Sequence, residues 1–209
     1  LAIGTRSHLT LDDASGSAAN FDFVRTNPLS KAYDENGKLT IHPWPENIVL
    51  GNLLGPMLYD DLDKSYQILS NNYALVDFPF IKGLTYRLNT GIRMRFTDRA
   101  EYRGRDTQSG YEALGRSSVS NSVSNSTVIE NILSYNRDYG KHTVFATALY
   151  SYEGNNGKTN SLSARQFPND FFSWYASDQA AIVQPSTSFN ETNLSSQMLR
   201  LNYSYASKY

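Results

Sequence analysis

The segment Leu84–Phe96 alternates almost without exception between two kinds of side chain. Because successive side chains of a β-strand point to opposite faces, this alternation predicts a strand with two different surfaces. The even-numbered residues are mostly apolar: Leu84, Tyr86, Leu88, Thr90, Ile92, Met94 and Phe96. The odd-numbered residues include three arginines: Thr85, Arg87, Asn89, Gly91, Arg93 and Arg95. Such a strand separates an apolar environment from a polar one.

The length of this strand indicates which apolar environment it meets. Its thirteen residues, at about 3.3 Å each and tilted by roughly 40°, rise about 30 Å, the thickness of the hydrocarbon core of a bilayer. Tyr86 and Phe96 lie near the ends of the apolar face, where barrel strands carry aromatic girdles. A half-buried strand of a soluble sandwich is the alternative, but such strands usually have about five to six residues. The pattern therefore favours a transmembrane β-barrel.

The remaining strand-like segments are joined by connections that alternate between long and short. Five further segments have strand character: Leu1–Leu11, Asn71–Phe80, Thr127–Asn136, His142–Tyr152 and Gln197–Tyr209. Long connections are predicted over 12–68, 98–125 and 154–195, and the serine-rich stretch Ser117–Ser126 is interpreted as a mobile loop tip. Outer-membrane barrels place short turns at one rim and long loops at the other. We therefore predict an all-β fold: an antiparallel wall segment of about six strands, part of a large transmembrane β-barrel with long extracellular loops.

Composition excludes several other classes of protein. The chain has 209 residues, no cysteine, a formal charge of −1 and a mean hydropathy of −0.48. Near-zero charge argues against a general nucleic-acid binder, and no apolar run approaches the roughly 20 residues of a membrane-spanning helix. The three histidines are too scattered for a metal motif, and the acidic stretches Asp34–Gly37 and Asp60–Asp63 lack the full calcium-loop pattern. We predict no catalytic, cofactor or metal site, and no enzyme.

Several motifs resemble those of SusC-like TonB-dependent transporters, in the order in which that family carries them. The motifs are Asn27-Pro28-Leu29, Tyr33–Gly37, Asn72-Tyr73, Phe80–Asn89, Glu130–Asn136, Tyr139–His142, Phe167–Asp170 and Arg200–Tyr205 with Lys208-Tyr209. Each motif alone is weak, but together they cover most of the chain.

The resemblance implies a 22-stranded outer-membrane barrel with an N-terminal plug, paired with a SusD-like surface lipoprotein that acts as a lid. Such proteins import glycans or peptides with energy passed from TonB through the plug. Residues 1–209 would then be a partial barrel, a middle section without the plug, the TonB box and the closing strands. The implied partners are the lipoprotein, TonB through the missing plug, the glycan or peptide cargo and outer-membrane lipid, with no nucleic acid and no cofactor.

Two groups of residues are candidates for contact with the cargo. If the apolar faces meet lipid, Arg87, Arg93 and Arg95 line the lumen together with Arg6, Arg200, Lys208 and Glu130. They could attract anionic groups of a substrate, or they could form ion pairs with acids of the plug or of neighbouring wall.

The second group is the aromatic segment Phe171–Tyr175 in an outer loop, with Trp174 and Tyr175 as the candidates. Flat aromatic faces suit both sugar rings and protein interfaces, although packing within the loop itself is the simpler interpretation. The loop around Pro43-Trp44-Pro45 and Ile48–Tyr59 carries the same alternatives, docking to the lid or self-packing.

Two other functions stay open at this point. A soluble β-rich surface adhesin or carbohydrate-binding module would fold without detergent, and a glycan-cleaving enzyme domain would depend on one Asp or Glu. The transporter interpretation predicts neither.

Overall fold

In a computed structural model, which describes residues 1–16, 27–44, 46 and 49–206, the chain forms one antiparallel sheet. Its six strands are β1 (Ala2–Asp13), β2 (Asp60–Asp77), β3 (Leu84–Arg103), β4 (Arg116–Tyr139), β5 (His142–Arg165) and β6 (Ile182–Tyr205). Each strand pairs with the next one along the chain, so that β1 and β6 are the two edges of the described sheet. The predicted all-β class and the number of strands are confirmed.

The strands extend much further than the sequence pattern predicts. β4, β5 and β6 each have 24 residues, which at about 3.3 Å per residue and a tilt of about 40° correspond to a height of about 60 Å. This is roughly twice the hydrocarbon thickness of a bilayer. The prediction that Ser117–Ser126 is a mobile loop tip is wrong, because these residues lie in β4 and are paired on both sides.

Short and long connections alternate along the chain, as predicted. Residues 78–83 and 140–141 form short turns at one end of the sheet, and residues 14–59, 104–115 and 166–181 form the longer connections at the other end. The long connections hold the helix α1 (Gln108–Ala113) and two short 3-10 segments, Gly55–Leu58 and Ser173–Gln179. None of the helices in the described part of the chain has the length and apolar character needed to cross a membrane.

The strand register combines the alternating patterns into two continuous faces. We call the face that carries the even-numbered residues of β3 the outer face, and the opposite one the inner face. Near the short turns, the outer face carries a band of large apolar side chains, which we call the apolar band. Its members include Ile3, Leu9, Tyr66, Ile68, Leu84, Tyr86, Ile92, Met94, Phe96, Val123, Ile129, Leu133, Tyr150, Leu199, Leu201 and Tyr203. Leu199 is 81% and Leu201 69% exposed, so the band requires an apolar environment such as lipid.

Beyond the apolar band, polar and charged side chains appear among the apolar ones of the outer face. Asn121 donates a hydrogen bond to Asp98 (2.7 Å), and Thr187 donates one to Asn160 (3.3 Å). A carboxylate and a row of amides would be costly to bury in hydrocarbon. This half of each strand therefore lies outside the membrane, on the side of the long connections.

The described residues contain only one small core, which lies on the outer face at the end with the long connections. It consists of Tyr102, Ala164, Phe167, Ala176 and Ala180, with Trp174 packed against it. No second sheet covers the six strands of the described part. A soluble sandwich would bury the apolar band between two sheets, so this architecture disfavours the self-contained adhesin.

Candidate functional site: the inner face of the sheet

The structure brings the predicted basic residues together on the inner face. Arg87, Arg93 and Arg95 follow one another along β3, opposite Ile132, Ser126 and Ser124 of β4 respectively. Arg6 of β1, Glu130 of β4 and Arg200 of β6 project from the same face. Lys208 lies outside the described residues. The inner face divides into three levels, which differ in whether neighbouring side chains compensate the positive charges of the arginines.

The lowest level, next to the short turns, holds a hydrogen-bonded network. The Nε of Arg87 donates to Oδ1 of Asn89 (2.8 Å), and Nδ2 of Asn89 donates to Oε2 of Glu130 (2.9 Å). The guanidinium of Arg87 also lies 5.3 Å from the centroid of the Tyr73 ring, a distance at which a cation is attracted to the aromatic face. The charge of Arg87 is therefore shared with neighbours in the wall.

The ring of Tyr73 lies along the wall because β1 has a glycine beside it. A Cβ atom on Gly4 would overlap the Tyr73 ring, so only glycine allows the ring to lie this close. Together with Arg6, Arg87, Asn89 and Glu130, these two residues border an open cleft of about 630 Å³. The sequence predicted the inner face for Arg6, Arg87 and Glu130, but not the position of Tyr73 and not this cleft. A glycine inside a strand was the available signal, since it often marks close approach of another group.

The middle level holds two arginines for which the described part of the chain provides no acidic partner. Arg95 donates from Nη2 to the Oγ of Ser65 at 3.4 Å, and no ion pair to Arg93 or Arg95 is found within the described residues. Their neighbours across the strands are Leu69 and Ser126 for Arg93, and Gln67 and Ser124 for Arg95. This part of the inner wall therefore carries uncompensated positive charge.

The upper level, near the long connections, holds arginines that are paired. Both oxygens of Asp63 lie 3.1 Å from Nε of Arg99. Arg103 pairs with Glu101 at 2.7 and 3.2 Å and lies 4.7 Å from the centroid of the Tyr59 ring. Surface ion pairs of this kind contribute little to stability, but they neutralise the charge. The middle level, with Arg93 and Arg95, is thus a candidate place for the binding of an anion to the described wall.

The aromatic candidates lie on the other side of the wall. Trp174 and Tyr175 border a groove whose other members include Leu62, Ala100, Val119 and Leu162, all of which project from the outer face. The connection 166–181 thus folds over the outside of β3, β4 and β5. The structure separates Trp174 and Tyr175 from the arginines, and does not bring the two candidate groups into one site.

The Phe167–Asp170 motif explains how this connection is held. Phe167 packs edge-to-face on Tyr102, with ring centroids 5.0 Å apart. Asp170 accepts a hydrogen bond from the Tyr102 hydroxyl (2.8 Å) and one from the backbone N–H of Arg105 (3.1 Å), and it forms an ion pair with the Arg105 guanidinium. The carboxylate joins connections 104–115 and 166–181, and its role is structural.

The acidic stretches are turns and strand ends. Asp34 accepts hydrogen bonds from the backbone N–H groups of Asn36 (2.9 Å) and Lys38 (2.8 Å), and Gly37 has a φ of +76°. In the described residues, no three His, Asp or Glu side chains come close enough to hold a metal ion.

Comparison with known proteins agrees with this architecture. No family model matches the chain. The chain is 29% identical over 178 residues to TonB-dependent receptor P3 of Formosa agariphila; the match covers 85% of this chain and 18% of the receptor. Among solved structures, it matches the RagAB peptide transporter with a TM-score of 0.76 at 19% identity, covering 98% of this chain and 24% of that one. The 'open-open' state of the RagAB peptide importer matches with a TM-score of 0.73 at 18% identity, again covering 98% and 24%.

These comparisons confirm the predicted resemblance to SusC-like TonB-dependent transporters, the barrel-wall fold and the location in the outer membrane. The similar proteins are a receptor and a transporter, not enzymes, in agreement with the predicted lack of catalytic function. The chain spans less than a quarter of the length of these proteins.

Proposed function

We propose that residues 1–209 form one section of the barrel wall of a TonB-dependent importer of the outer membrane. The apolar band faces lipid, and the inner face borders the path of a glycan or peptide cargo. Energy comes from TonB through a plug that belongs to another part of the protein. The observation that supports this proposal most directly is a sheet with two different faces. One face carries an apolar band as high as the hydrocarbon core, and the other carries Arg93 and Arg95, which have no acidic partner among the described residues.

The proposed role of Arg93 and Arg95 is to attract an anionic group of the cargo. In a low-dielectric, partly enclosed channel, two neighbouring guanidinium groups raise the local concentration of carboxylates or sulfates. Arg87 is less suited to this role because its guanidinium already contacts Asn89 and the Tyr73 ring, and Asn89 in turn donates to Glu130. In the competing role, the charges of Arg93 and Arg95 form ion pairs with acidic residues of the plug.

The experiment compares uptake of matched anionic and neutral oligosaccharides or peptides by cells that carry the full-length transporter. The double substitution Arg93→Gln and Arg95→Gln is expected to reduce uptake of the anionic cargo about tenfold or more, and to leave neutral cargo unchanged. Arg99→Gln is the matched control because Asp63 already neutralises Arg99. Equal loss of both cargoes would instead indicate that the arginines hold the plug.

A SusD-like surface lipoprotein is the proposed partner on the side of the long connections. Several apolar side chains are largely exposed there: Leu29, Val49, Met57, Tyr111 and Leu114. A set of exposed apolar groups at one rim is typical of a protein interface. Pro45 and Ile48 lie outside the described residues; they belong to the loop for which docking to the lid was the alternative to self-packing.

The partnership is tested by co-purification of the full-length transporter from detergent-solubilised outer membranes. Met57→Asp combined with Leu114→Asp is expected to reduce recovery of the lipoprotein severalfold. Ile81→Asp, an exposed substitution in the short turn at the opposite end, is expected to leave recovery unchanged. Unchanged recovery in both variants would contradict docking at this rim.

A further inference from the structure

Three aromatic side chains of connection 166–181 are exposed on the outside of the wall. Phe171 is 84%, Phe172 55% and Tyr175 80% exposed; we call these three residues the aromatic shelf. Phe171 and Phe172 contact each other edge-to-face, with ring centroids 4.9 Å apart. Exposed aromatic groups of this size, grouped in one short segment, usually mark a surface that another molecule covers.

The aromatic shelf is fixed firmly to the sheet beneath it. The segment that carries it is anchored by the buried residues Ala176 and Ala180 and by a 2.8 Å hydrogen bond between the hydroxyls of Ser117 and Ser177. Trp174, beside Tyr175, turns inward and packs against the core around Tyr102. The exposure of the shelf is thus a property of an ordered segment.

The position of the shelf relative to the apolar band defines its surroundings. Tyr175 borders the groove with Asp98 and Ala100 on β3, two and four residues beyond Phe96, where the apolar band ends. At about 3.3 Å per residue and a tilt of about 40°, this separation is a rise of about 5 to 10 Å. The headgroup layer on each side of the hydrocarbon core is about 5 to 8 Å thick. Tyr175 therefore lies at the level of the headgroups, and on the side of the wall that faces the membrane.

We propose that the aromatic shelf inserts into the headgroup layer of the outer leaflet. Aromatic rings are favoured in this layer, where an apolar ring surface meets a hydrated polar one. The connection between β5 and β6 thereby anchors the projecting upper half of the wall to the membrane surface. This inference rests on the membrane orientation in the proposed function, but not on the cargo or on the lid.

Spin labels on three single-cysteine variants of the full-length transporter, with any other cysteine replaced, test this proposal. Tyr175→Cys reports on the shelf, Ile92→Cys on the apolar band, and Tyr111→Cys, an exposed aromatic of α1, on the rim. The protein is reconstituted in phosphatidylcholine–phosphatidylglycerol bilayers that contain a small fraction of a nickel-chelating lipid. Relaxation of each label by the nickel headgroup, by dissolved oxygen and by a soluble nickel chelate is measured.

We expect the nickel headgroup to relax the label at residue 175 severalfold more strongly than the label at residue 111. The soluble chelate should reach residue 111 more readily than residue 175. A label at 175 that behaves like the one at 111 would overturn the proposal. Low oxygen accessibility at residue 92 would instead overturn the membrane orientation and the proposed function with it, so the two failures are distinguishable.

Discussion

The hydroxyl of Tyr102 donates a 2.8 Å hydrogen bond to Oδ1 of Asp170, a residue 68 positions further along the chain. This bond joins the upper end of β3 to the connection between β5 and β6. Asp170 also binds the backbone N–H and the guanidinium of Arg105, so one carboxylate holds three groups from β3 and connection 104–115. The position of the aromatic shelf depends on this junction.

Asp170→Ala is expected to loosen connection 166–181. The substitution removes hydrogen bonds that involve a charged group and leaves Arg105 without its carboxylate, a loss of about 2 to 3 kcal/mol of local stability. Limited proteolysis of the full-length protein should then cleave this connection at least tenfold faster, since cleavage follows the population of the open form. Asp178→Ala is the control, because Asp178 is exposed and no hydrogen bond of its side chain is found within the described residues. Equal cleavage of both variants would contradict the role of Asp170.

The same junction should respond to alkaline pH. Burial raises the pKa of Tyr102 well above its usual value of 10.0, and the hydrogen bond to Asp170 adds to the shift. Because the folded-state pKa lies above the unfolded value, the neutral phenol stabilises the loop fully below about pH 10, and this contribution falls as the pH rises further. A fluorophore attached to Tyr175→Cys should report loosening above pH 10. The change should be absent when Tyr102→Phe is added, and its persistence there would assign it to another group.

The two glycine turns at the short-turn end should differ in their tolerance of a side chain. Gly83 has a φ of +88°, and a Cβ atom there would overlap the carbonyl oxygen of Asn136, whose N–H bonds back to Gly83. Gly140 has a φ of +64° with nothing near its Cβ position. Gly140→Ala should therefore cost only about 1 kcal/mol, the penalty of the left-handed conformation. Gly83→Ala should cost more than this and reduce the yield of assembled barrel severalfold, measured by heat-modifiable migration in gels. Equal yields would show that β3 and β4 can separate at this turn.

Adjacent residues of β4 provide a test of the two faces. Ile129 projects from the outer face within the apolar band and Val128 from the inner face, next to the cleft around Arg87 and Glu130. Arginine on the lipid side near the middle of the bilayer costs about 2 to 4 kcal/mol, so Ile129→Arg should sharply reduce assembly in the outer membrane. Val128→Arg should assemble nearly as well as the unmodified protein. A reversed order of the two yields would show that the inner and outer faces are exchanged.

Strand length was the part of the fold that sequence reasoning missed. The alternation between apolar and polar residues predicted only the part of each strand that crosses the apolar band. Ser118, Ser120, Ser122, Ser124 and Ser126 all project from the inner face. Their outer-face neighbours are mixed, because Asn121 and Asn125 alternate with Val119 and Val123, so the contrast between the two sides of this part of β4 is weak. Outside the membrane the outer face need not be uniformly apolar, and the period-two signal weakens.

The sequence by itself determined the two faces of the wall, the parity of its connections and the placement of Arg87, Arg93 and Arg95 on one side, because side-chain alternation is a local property of an extended chain. Only the tertiary structure decided which arginines stay without acidic partners, since pairing depends on register with β2 and β4. It also placed Trp174 and Tyr175 on the outside of the wall. That placement depends on contacts of connection 166–181 with Tyr102, Arg105 and Ser117, which are distant in sequence and meet only when β3, β4 and β5 are aligned.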